Sequence, residues 1–157
     1  MAKQDDTQYK VIAENRRARY DYSIEESIEA GIVLTGSEVK SMRLGRANIA
    51  ESHAAEKDGE FYLFNANINE YASAAHFGHY ARRPRKLLLK KKQVNRLIGA
   101  VTRKGMTVVP LVMYFNHRGM VKVQLGLAKG KKLADKRASE KERDWKRQKE
   151  RILKERG

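Results

Sequence analysis

The feature that most constrains the fold of this chain is an alternating series of apolar residues near its N-terminus. Apolar side chains fall on even positions at Tyr20, Tyr22, Ile24, Ile28, Ala30, Ile32 and Leu34. The odd positions from Asp21 to Gly31 are polar or glycine, and only Glu26 interrupts the apolar face. Period two over this length predicts one long β-strand with a single buried face. The capping-box spacing of Ser23 and Glu26 offers a helix as the alternative, and we predict the strand.

Local signals predict further strands. In "SHAAEKDGEFYLFNANI" the pair Asp58-Gly59 suits the positive φ angles of a tight hairpin turn. The segments "TVVPLVMYF" and "MVKVQLGLA" read as two more strands joined across "NHRG". Pro110 has no N–H to donate to a ladder, so we expect it at an edge or a bulge.

Two helices are predicted. A short one has Ser37 as a plausible N-cap and Gly45 as its end. A longer one ends at Gly105 and carries its apolar residues at i, i+3, i+4 and i+7. These residues are Val94, Leu97, Ile98 and Val101.

At least five strands and two helices, mostly joined by short links, predict a mainly β fold. We expect a small antiparallel barrel of the oligonucleotide-binding type with flanking short helices. Residues 1–10 are predicted to be a flexible arm, residues 11–128 the barrel domain and residues 129–157 a basic tail. The segment from Tyr71 to Lys86 is predicted to be a loop.

The tail differs in composition from the rest of the chain. Residues 129–157 hold 13 Lys and Arg against 6 Asp and Glu, and only four large apolar side chains. So few apolar groups cannot offset the entropy of ordering nearly thirty residues. The i, i+4 pairs Glu142–Lys146 and Glu150–Lys154 nevertheless favour a helix. We therefore predict a tail that is disordered when free and becomes helical on an anionic surface.

The charge of the chain narrows the class of partner. With 34 Lys and Arg against 19 Asp and Glu the formal net charge is +15, which suits nucleic acid or an anionic membrane. No apolar run is long enough to span a bilayer, and "MAKQDDTQYK" has no apolar signal segment. The absence of cysteine excludes disulfides and fits a cytoplasmic protein.

No catalytic or metal-binding pattern is found in the sequence. The four histidines, which we interpret as surface or loop residues, are His53, His76, His79 and His117. "GKK" lacks the spacing of a phosphate-binding P-loop, and no serine has a nucleophile-elbow setting. Glu25, Glu26 and Glu29 do not form paired acids, because alternate residues of a strand face opposite sides. We predict no enzyme activity, no cofactor and no metal.

Basic residues concentrate in three segments that indicate nucleic-acid binding. They are "NRRAR" at 15–19, "ARRPRK" at 81–86 with "KKK" after it, and "GKKLADKRASEK" at 130–141. Lys and Arg neutralise phosphates and make affinity depend on salt. Unpaired bases could stack on Tyr20, Tyr22, Tyr80 or His79, although Tyr20 and Tyr22 are equally suited to the core. Composition leaves RNA and DNA both open.

Longer motifs resemble the small protein B family, the bacterial partner of transfer-messenger RNA. The resemblance runs in order from about Ile12 to Arg151 through "NRRARYDY", "EAGIVLTGSEVKSMRLGRANI", "RKLLLKKKQV", "LAKGKKLADKR" and "KERDWKR". It implies an oligonucleotide-binding-type barrel that binds the tRNA-like domain of transfer-messenger RNA. It also implies ribosome rescue by trans-translation, within a delivery complex that contains elongation factor Tu.

The resemblance, together with the basic clusters, assigns two sets of residues. The set expected to bind transfer-messenger RNA is Asn15, Arg16, Arg17, Arg19, Glu29, Arg83, Arg85, Lys86, Leu89 and Lys90. The set expected at the decoding centre, in 16S rRNA of the small subunit, and in the mRNA channel is Gly130, Lys131, Lys132, Asp135, Lys136, Arg137, Lys141, Arg143 and Trp145. Ala134 stands where many family members have histidine, whose ring could stack on a ribosomal base, so the resemblance does not carry stacking over to this position.

Two other classes of protein remain as alternatives. A structural ribosomal protein or general RNA chaperone with the same barrel would bind many RNAs rather than one. An RNA-modifying enzyme is the more distant alternative, since it needs a cofactor loop or catalytic cluster that the sequence lacks.

Overall fold

The computed structural model describes residues 10–70, 79–130, 143–148 and 151. The strands in this part are β1 (Lys10–Glu14), β2 (Tyr22–Ile32), β3 (Ala47–Asn48), β4 (His53–Lys57), β5 (Glu60–Phe64), β6 (Asn67–Ile68), β7 (Arg85–Leu88), β8 (Thr107–Phe115) and β9 (Val121–Gly130). The helices are α1 (Ala18–Asp21), α2 (Gly36–Arg43) and α3 (Lys91–Lys104), and residues 143–148 are also helical. None of these described helices has the length and apolar character needed to cross a membrane.

Seven of the strands form one antiparallel sheet that closes on itself. Their order is β1-β8-β4-β5-β7-β2-β9, and a further pairing between β8 and β9 closes the six strands from β8 to β9 into a ring. Strand β1 pairs with residues 112–115 of β8, farther along β8 than the contact of β8 with β4 at Val108. The short strands β3 and β6 pair separately. This arrangement confirms the predicted small antiparallel barrel with a few short helices.

The interior of the barrel is filled by aliphatic and aromatic side chains from most of its strands. Phe61, Leu63, Val108, Met113 and Val123 are wholly excluded from solvent. Successive residues of a strand point to opposite faces, so these strands each give one face to the core.

Helix α3 packs against the core with its apolar face. Val94, Leu97 and Ala100 are its buried residues. Val101, which was predicted on that face, is exposed. The apolar stripe therefore passes through Ala100, and the prediction for Val101 is wrong.

Strand β2 confirms the long strand predicted from the alternating series, and the helix alternative is wrong. Its register against β9 shifts between Ile24 and Glu26, so Glu25 is the extra residue of a bulge. Beyond the bulge, Ile28 and Ala30 belong to the main core. Before it, Ile24 packs in a second cluster. The interruption of the apolar series at Glu26 thus marks the position where β2 changes from one cluster to the other.

Pro110 lies at a bulge in β8, as predicted. The register of β8 against β9 shifts between Pro110 and Val112, which leaves Leu111 as the extra residue. The side chain of Leu111 lies over Gly126 of β9, where an added Cβ would come within 3.1 Å of it. A glycine at 126 therefore makes room for the bulged leucine.

The predicted turns are confirmed, with one error at a helix cap. Asp58 and Gly59 have φ values of 54° and 81°, and Gly105 after α3 has 63°. The N-cap of α2 is Thr35 rather than Ser37: the Thr35 hydroxyl accepts from the Glu38 N–H, and the Glu38 carboxylate accepts from the Thr35 N–H. The reciprocal Thr-x-x-Glu pair is the stronger start signal.

Three boundaries differ from those predicted. Tyr20 belongs to α1, so β2 begins only at Tyr22. The loop predicted to reach Lys86 ends earlier, because β7 begins at Arg85. Strand β9 continues to Gly130 through pairs with Tyr22 and Ser23, two residues past the predicted end of the barrel. Most of the predicted N-terminal arm and residues 71–78 lie outside the described part of the chain.

Candidate nucleic-acid interface

Residues from β2, β7 and the start of α3 line an open groove of about 510 Å³, here called the β2–β7 groove. Strands β2 and β7 pair through Gly31 with Leu88 and Ile32 with Leu87, which brings their outer side chains together. Four residues expected to bind RNA line it, and they are Glu29, Lys86, Leu89 and Lys90. Lys122 of β9 and Glu60 of β5 also line this groove.

The carboxylate of Glu29 lies on the outer face of β2, opposite Gln124 of β9. The hydroxyl of Tyr114 donates a hydrogen bond to Glu29 Oε2. Among three lysines that attract phosphates, a carboxylate held in this way can accept hydrogen bonds from the amino groups of bases. The groove therefore combines phosphate attraction with a directional acceptor.

The β2–β7 groove also has apolar lining residues, among them Leu88. Leu88 is 52% exposed although it is a large hydrophobic residue. It lies against Gly31, where an added Cβ would be 3.2 Å from the Leu88 Cβ. The glycine allows Leu88 to pack closely beside β2. The resulting apolar surface is suited to contact with an unstacked base or a ribose.

The exposed arginines of "NRRAR" do not line the β2–β7 groove. Arg16 and Arg17 instead border a second groove of about 360 Å³ with Tyr20 and Arg143, here called the α1 groove. The guanidinium carbons of Arg17 and Arg143 lie 5.5 Å and 4.9 Å from the centroid of the Tyr20 ring. Arg19 is also exposed, on the same helix α1.

The contact of Arg143 with Tyr20 joins two residues that were expected to meet different partners. A guanidinium stacked on an aromatic face keeps its N–H donors at its edge. Arg17 and Arg143 can therefore bind phosphate while they stay on the ring. Tyr20 is partly buried and also belongs to this basic cluster. The sequence left a core position and an interface position open for Tyr20, and each describes part of where it lies.

Asn15 has a buried position that differs from that of the neighbouring arginines. Its side-chain amide donates to the carbonyl of Pro110 at 3.0 Å, and its backbone N–H donates to the carbonyl of Leu111 at 2.8 Å. Asn15 thereby fastens the start of the basic segment to the bulge of β8. Its position supports a role in orienting Arg16 and Arg17.

Arg85 is the main correction to the expected RNA-binding set. It is completely buried, and its Nε donates to the carboxylate of Glu38. Its Nη1 and Nη2 donate to the carbonyls of Ala66 and Ala81 at 2.7 Å and 3.0 Å. Arg83 shares Glu38 through a bond of 2.6 Å and remains one-third exposed. Arg85 therefore joins α2 to β7 inside the protein.

The charges of this buried cluster perturb one another. Burial alone would raise the pKa of Glu38, but hydrogen bonds from Arg83, the Thr35 N–H and Arg85 hold its pKa below the ordinary value. Burial also lowers the pKa of Arg85, and the charge of Glu38 opposes that effect. Glu38 is thus an ionised carboxylate that organises two arginines, and no local pattern in the sequence indicates this role.

His79 lies outside the helices and strands, as the interpretation of a loop histidine expects, but the alternatives of a surface position and of stacking on a base are wrong. Its ring is buried, with Nδ1 2.8 Å from the Ser37 hydroxyl and Nε2 2.9 Å from the Ile68 carbonyl. Tyr80 beside it is 82% exposed. Of these two neighbouring candidates, Tyr80 has the geometry for stacking on a base.

The residues expected at the ribosome are only partly described. Gly130 ends β9 and pairs with Tyr22. Arg143 and Trp145 lie in the helical segment 143–148, and Trp145 is 65% exposed. The others lie outside the described residues, and they are Lys131, Lys132, Asp135, Lys136, Arg137 and Lys141, as does Ala134. The described residues contain no cluster of three or more groups that could hold a metal ion.

Comparisons with known proteins give consistent matches. Residues 12–155 match the family model described as SmpB protein. The chain is 62% identical over 157 residues, all of both chains, to an SsrA-binding protein of Rhodopseudomonas palustris (strain BisB18). It is 61% identical over 148 residues to an SsrA-binding protein of Afipia carboxidovorans, with 94% of each chain covered. A solved structure described as "tmRNA-SmpB: a journey to the center of the bacterial ribosome" is 53% identical, with a TM-score of 0.64 over 76% of this chain and 84% of the other.

Proposed function

The chain belongs to the SmpB family, and we propose that it binds the tRNA-like domain of transfer-messenger RNA and delivers this RNA to stalled ribosomes. The observation that carries the proposal is the β2–β7 groove, which joins Glu29 to Lys86, Leu89 and Lys90. The names of the relatives and of the solved structure support the same RNA and its association with the ribosome.

In this proposal the β2–β7 groove and the α1 groove bind different parts of the RNA. Lysines of the β2–β7 groove neutralise phosphates, and Glu29 accepts hydrogen bonds from base edges. Arg16, Arg17 and Arg19 contact the RNA backbone near the other end of β2. Strand β2 begins at Tyr22, two residues after Tyr20 of the α1 groove, and Glu29 follows seven residues later, so roughly 20 Å of strand lies between the two grooves. Such a spacing suits a folded RNA that presents two backbone segments.

We propose that the tail acts at the ribosome. The residues expected at the ribosome, which lie between Gly130 and Trp145, would bind 16S rRNA at the decoding centre and in the empty mRNA channel. The RNA would arrive in a cytoplasmic delivery complex that also contains elongation factor Tu. A tail with a large excess of positive charge and few apolar residues supports binding to rRNA rather than a place in the hydrophobic core.

The proposal is tested first by sequencing the RNA that copurifies with the full-length chain at moderate salt. One dominant RNA with tRNA-like ends is the expected result. Gel-shift titration at fixed salt then compares a tRNA-like-domain fragment with an rRNA fragment of the same length. The functional measurement is alanine tagging on ribosomes stalled without a stop codon. It compares a complete reaction with one from which only the protein is omitted.

Broad enrichment of rRNA, with equal affinity for both fragments, would contradict the proposal and favour a general RNA chaperone or ribosomal protein. Tagging that proceeds at full rate without the protein would contradict the role in rescue while leaving RNA binding intact. The two results separate the partner of the barrel from its role on the ribosome.

A further inference from the structure

Helix α3 carries a row of cations that the proposed sites do not use. Its sequence contains no acidic residue, and its exposed positive residues are Lys91, Lys92, Arg96, Arg103 and Lys104. Lysines in the first turn of a helix are unfavourable, because the N-terminal end of the helix dipole is positive. Lys91 and Lys92 therefore do not stabilise α3 through its dipole, whereas Arg103 and Lys104 in the last turn do. An anionic partner would explain the excess of positive charge along the whole helix.

A groove of about 460 Å³ runs between α3 and the bulge of β2, here called the α3 groove. Its acidic residues are already paired: Glu26 with Arg96 at 2.6 Å and Glu25 with Lys129 at 3.7 Å. Arg103 and Lys104 line the same groove and form no ion pair within the described part of the chain. The groove therefore keeps an excess of positive charge.

Gly99 lies in the middle of α3 and also lines this groove. A Cβ added at Gly99 would meet no atom within 4 Å, so the packing of the protein does not require a glycine there. Its φ is not in the left-handed region either. A glycine inside a helix is less favourable than alanine. The glycine leaves the backbone of α3 bare at this groove, so that a partner can approach it closely there.

The α3 groove and the β2–β7 groove are lined by successive parts of the same helix. Gln93 in the first turn of α3 lines the β2–β7 groove, whereas Arg96, Gly99 and Arg103 line the α3 groove. The 14 residues of α3 extend over about 20 Å at 1.5 Å per residue. An RNA strand that leaves the first groove beside Lys90 would therefore meet the second one along the same helix.

We propose that the α3 groove is a further RNA-binding site, and that it holds the backbone of the same RNA whose tRNA-like domain lies in the β2–β7 groove. Arg103 and Lys104 neutralise phosphates there, and the strand passes against the bare backbone at Gly99. The inference rests on the proposed function for the identity of the RNA. Its evidence within the protein is the positive charge of Arg103 and Lys104, the bare backbone at Gly99 and the position of both grooves along α3.

The sharpest test is Gly99→Ala in the full-length chain, because it should change stability and affinity in opposite directions. Alanine favours the helix and meets open space, so the melting temperature should rise by about 2–4 °C. The added methyl group should hold the RNA backbone away from the helix and lower affinity for the tRNA-like-domain fragment by about tenfold. Val101→Ala is the matched control, since it also raises helix propensity but lies outside the groove.

A second arm tests the charges by titration over a range of salt concentrations. Each phosphate contact contributes roughly 0.7–0.9 to the slope of log affinity against log salt. Arg103→Gln with Lys104→Gln should therefore flatten the slope by about 1.4–1.8. Arg43→Gln with Arg118→Gln removes the same charge from exposed positions outside the three grooves and should leave the slope nearly unchanged.

Several outcomes would overturn the inference. Unchanged affinity in Gly99→Ala, or equal loss in both double variants, would mean that α3 contributes only a diffuse field. Normal binding to the tRNA-like domain with weakened binding to an rRNA fragment would assign the groove to the ribosome instead. A wild-type chain that does not prefer the tRNA-like-domain fragment would contradict the proposed function itself, which the variants do not address.

Discussion

The hydroxyl of Tyr114 in β8 donates a hydrogen bond to the carboxylate of Glu29 in β2, across the outer face of β9. Glu29 is paired with Gln124 of β9, and Tyr114 is paired with Lys122 of the same strand. The two side chains therefore approach each other diagonally across β9. The bond holds Glu29 Oε2 in a fixed position at the edge of the β2–β7 groove. An acceptor that is positioned before RNA arrives loses less conformational freedom on binding.

Replacing Glu29 with alanine should weaken binding to the tRNA-like domain without disturbing the fold. The side chain is exposed on the strand, and loss of one good acceptor is worth roughly 1–3 kcal/mol. Gel-shift titration at fixed salt measures the effect. Glu60→Ala is the control, because it removes an equal charge from the same groove. If both variants bind alike, Glu29 acts only through its charge.

Removing only the Tyr114 hydroxyl, with Tyr114→Phe, should reduce affinity by less than Glu29→Ala does. The ring remains to pack, so the melting temperature should change little. In the double variant with Glu29→Ala the loss should equal that of Glu29→Ala alone, because Tyr114 acts through the carboxylate. Additive losses in this double-mutant cycle would show instead that Tyr114 contacts RNA on its own.

Neutralising Arg16, Arg17 and Arg19 with glutamine should weaken RNA binding and flatten its salt dependence. The slope should fall by about 0.7–0.9 for each phosphate that an arginine no longer neutralises. The measurement is affinity at several salt concentrations, beside Arg43→Gln with Arg118→Gln as exposed controls. A weaker complex whose slope is unaltered would mean that the arginines contact bases or support α1.

The ionised state of Glu38 should make the free energy of unfolding depend on pH. Its pKa in the folded protein lies below the ordinary value of 4.5, which applies to the unfolded chain. Its contribution is therefore fully present above that value, and is lost as the pH falls through it towards the folded pKa. Urea denaturation at about pH 3 to pH 7 follows this loss.

Glu38→Gln is the variant that tests the assignment. It should cost about 3–5 kcal/mol near neutral pH, because it leaves Arg85 buried without its counter-ion. It should also reduce the pH dependence in the acid range. Glu56→Gln is the exposed control. An unchanged pH dependence in Glu38→Gln would assign the acid sensitivity to other carboxylates.

Truncation after Gly130 should separate RNA binding from rescue. Strand β9 is complete at Gly130, so the barrel should keep its melting temperature within a few degrees. Affinity for the tRNA-like domain should fall by less than about tenfold, because the Arg143 guanidinium is removed from the Tyr20 ring. Alanine tagging on stalled ribosomes should be abolished.

A narrower variant, with Asp135, Lys136 and Arg137 changed to alanine, should give the same loss of tagging while keeping Arg143. If truncation abolishes RNA binding as well, the tail belongs to the RNA surface of the barrel. Tagging at full rate after truncation would contradict the proposed role of the tail.

The sequence predicted those features of the fold that depend on neighbouring residues. The alternation along β2, the turn at Asp58-Gly59 and the stop at Gly105 each follow from the backbone preference of a few adjacent residues. The bulge at Pro110 was expected because proline lacks a donor. The short strands β1, β3 and β6 carry no such local signal, since their pairing depends on distant partners.

The site was less predictable for the same reason. Glu38 and Arg85 are 47 positions apart, and Asn15 and Pro110 are 95 apart. Composition counts a buried guanidinium as though it were on the surface, so Arg85 was placed with the RNA-binding cations. The motifs indicated Glu29, Leu89 and Lys90 through the family resemblance, but only the pairing of β2 with β7 shows that they share a groove.

Strand β9, from which the tail leaves, is paired along both of its edges. It pairs with β2 from Tyr22 to Gly31 and with β8 from Thr107 to Phe115. The hydrogen bonds of antiparallel ladders run perpendicular to the strands. A pull on the tail along the axis of β9 therefore loads the bonds of both ladders together in shear, instead of opening them one after another. If the tail and the barrel bind different partners, as proposed, the protein can carry mechanical tension between them without losing its last strand.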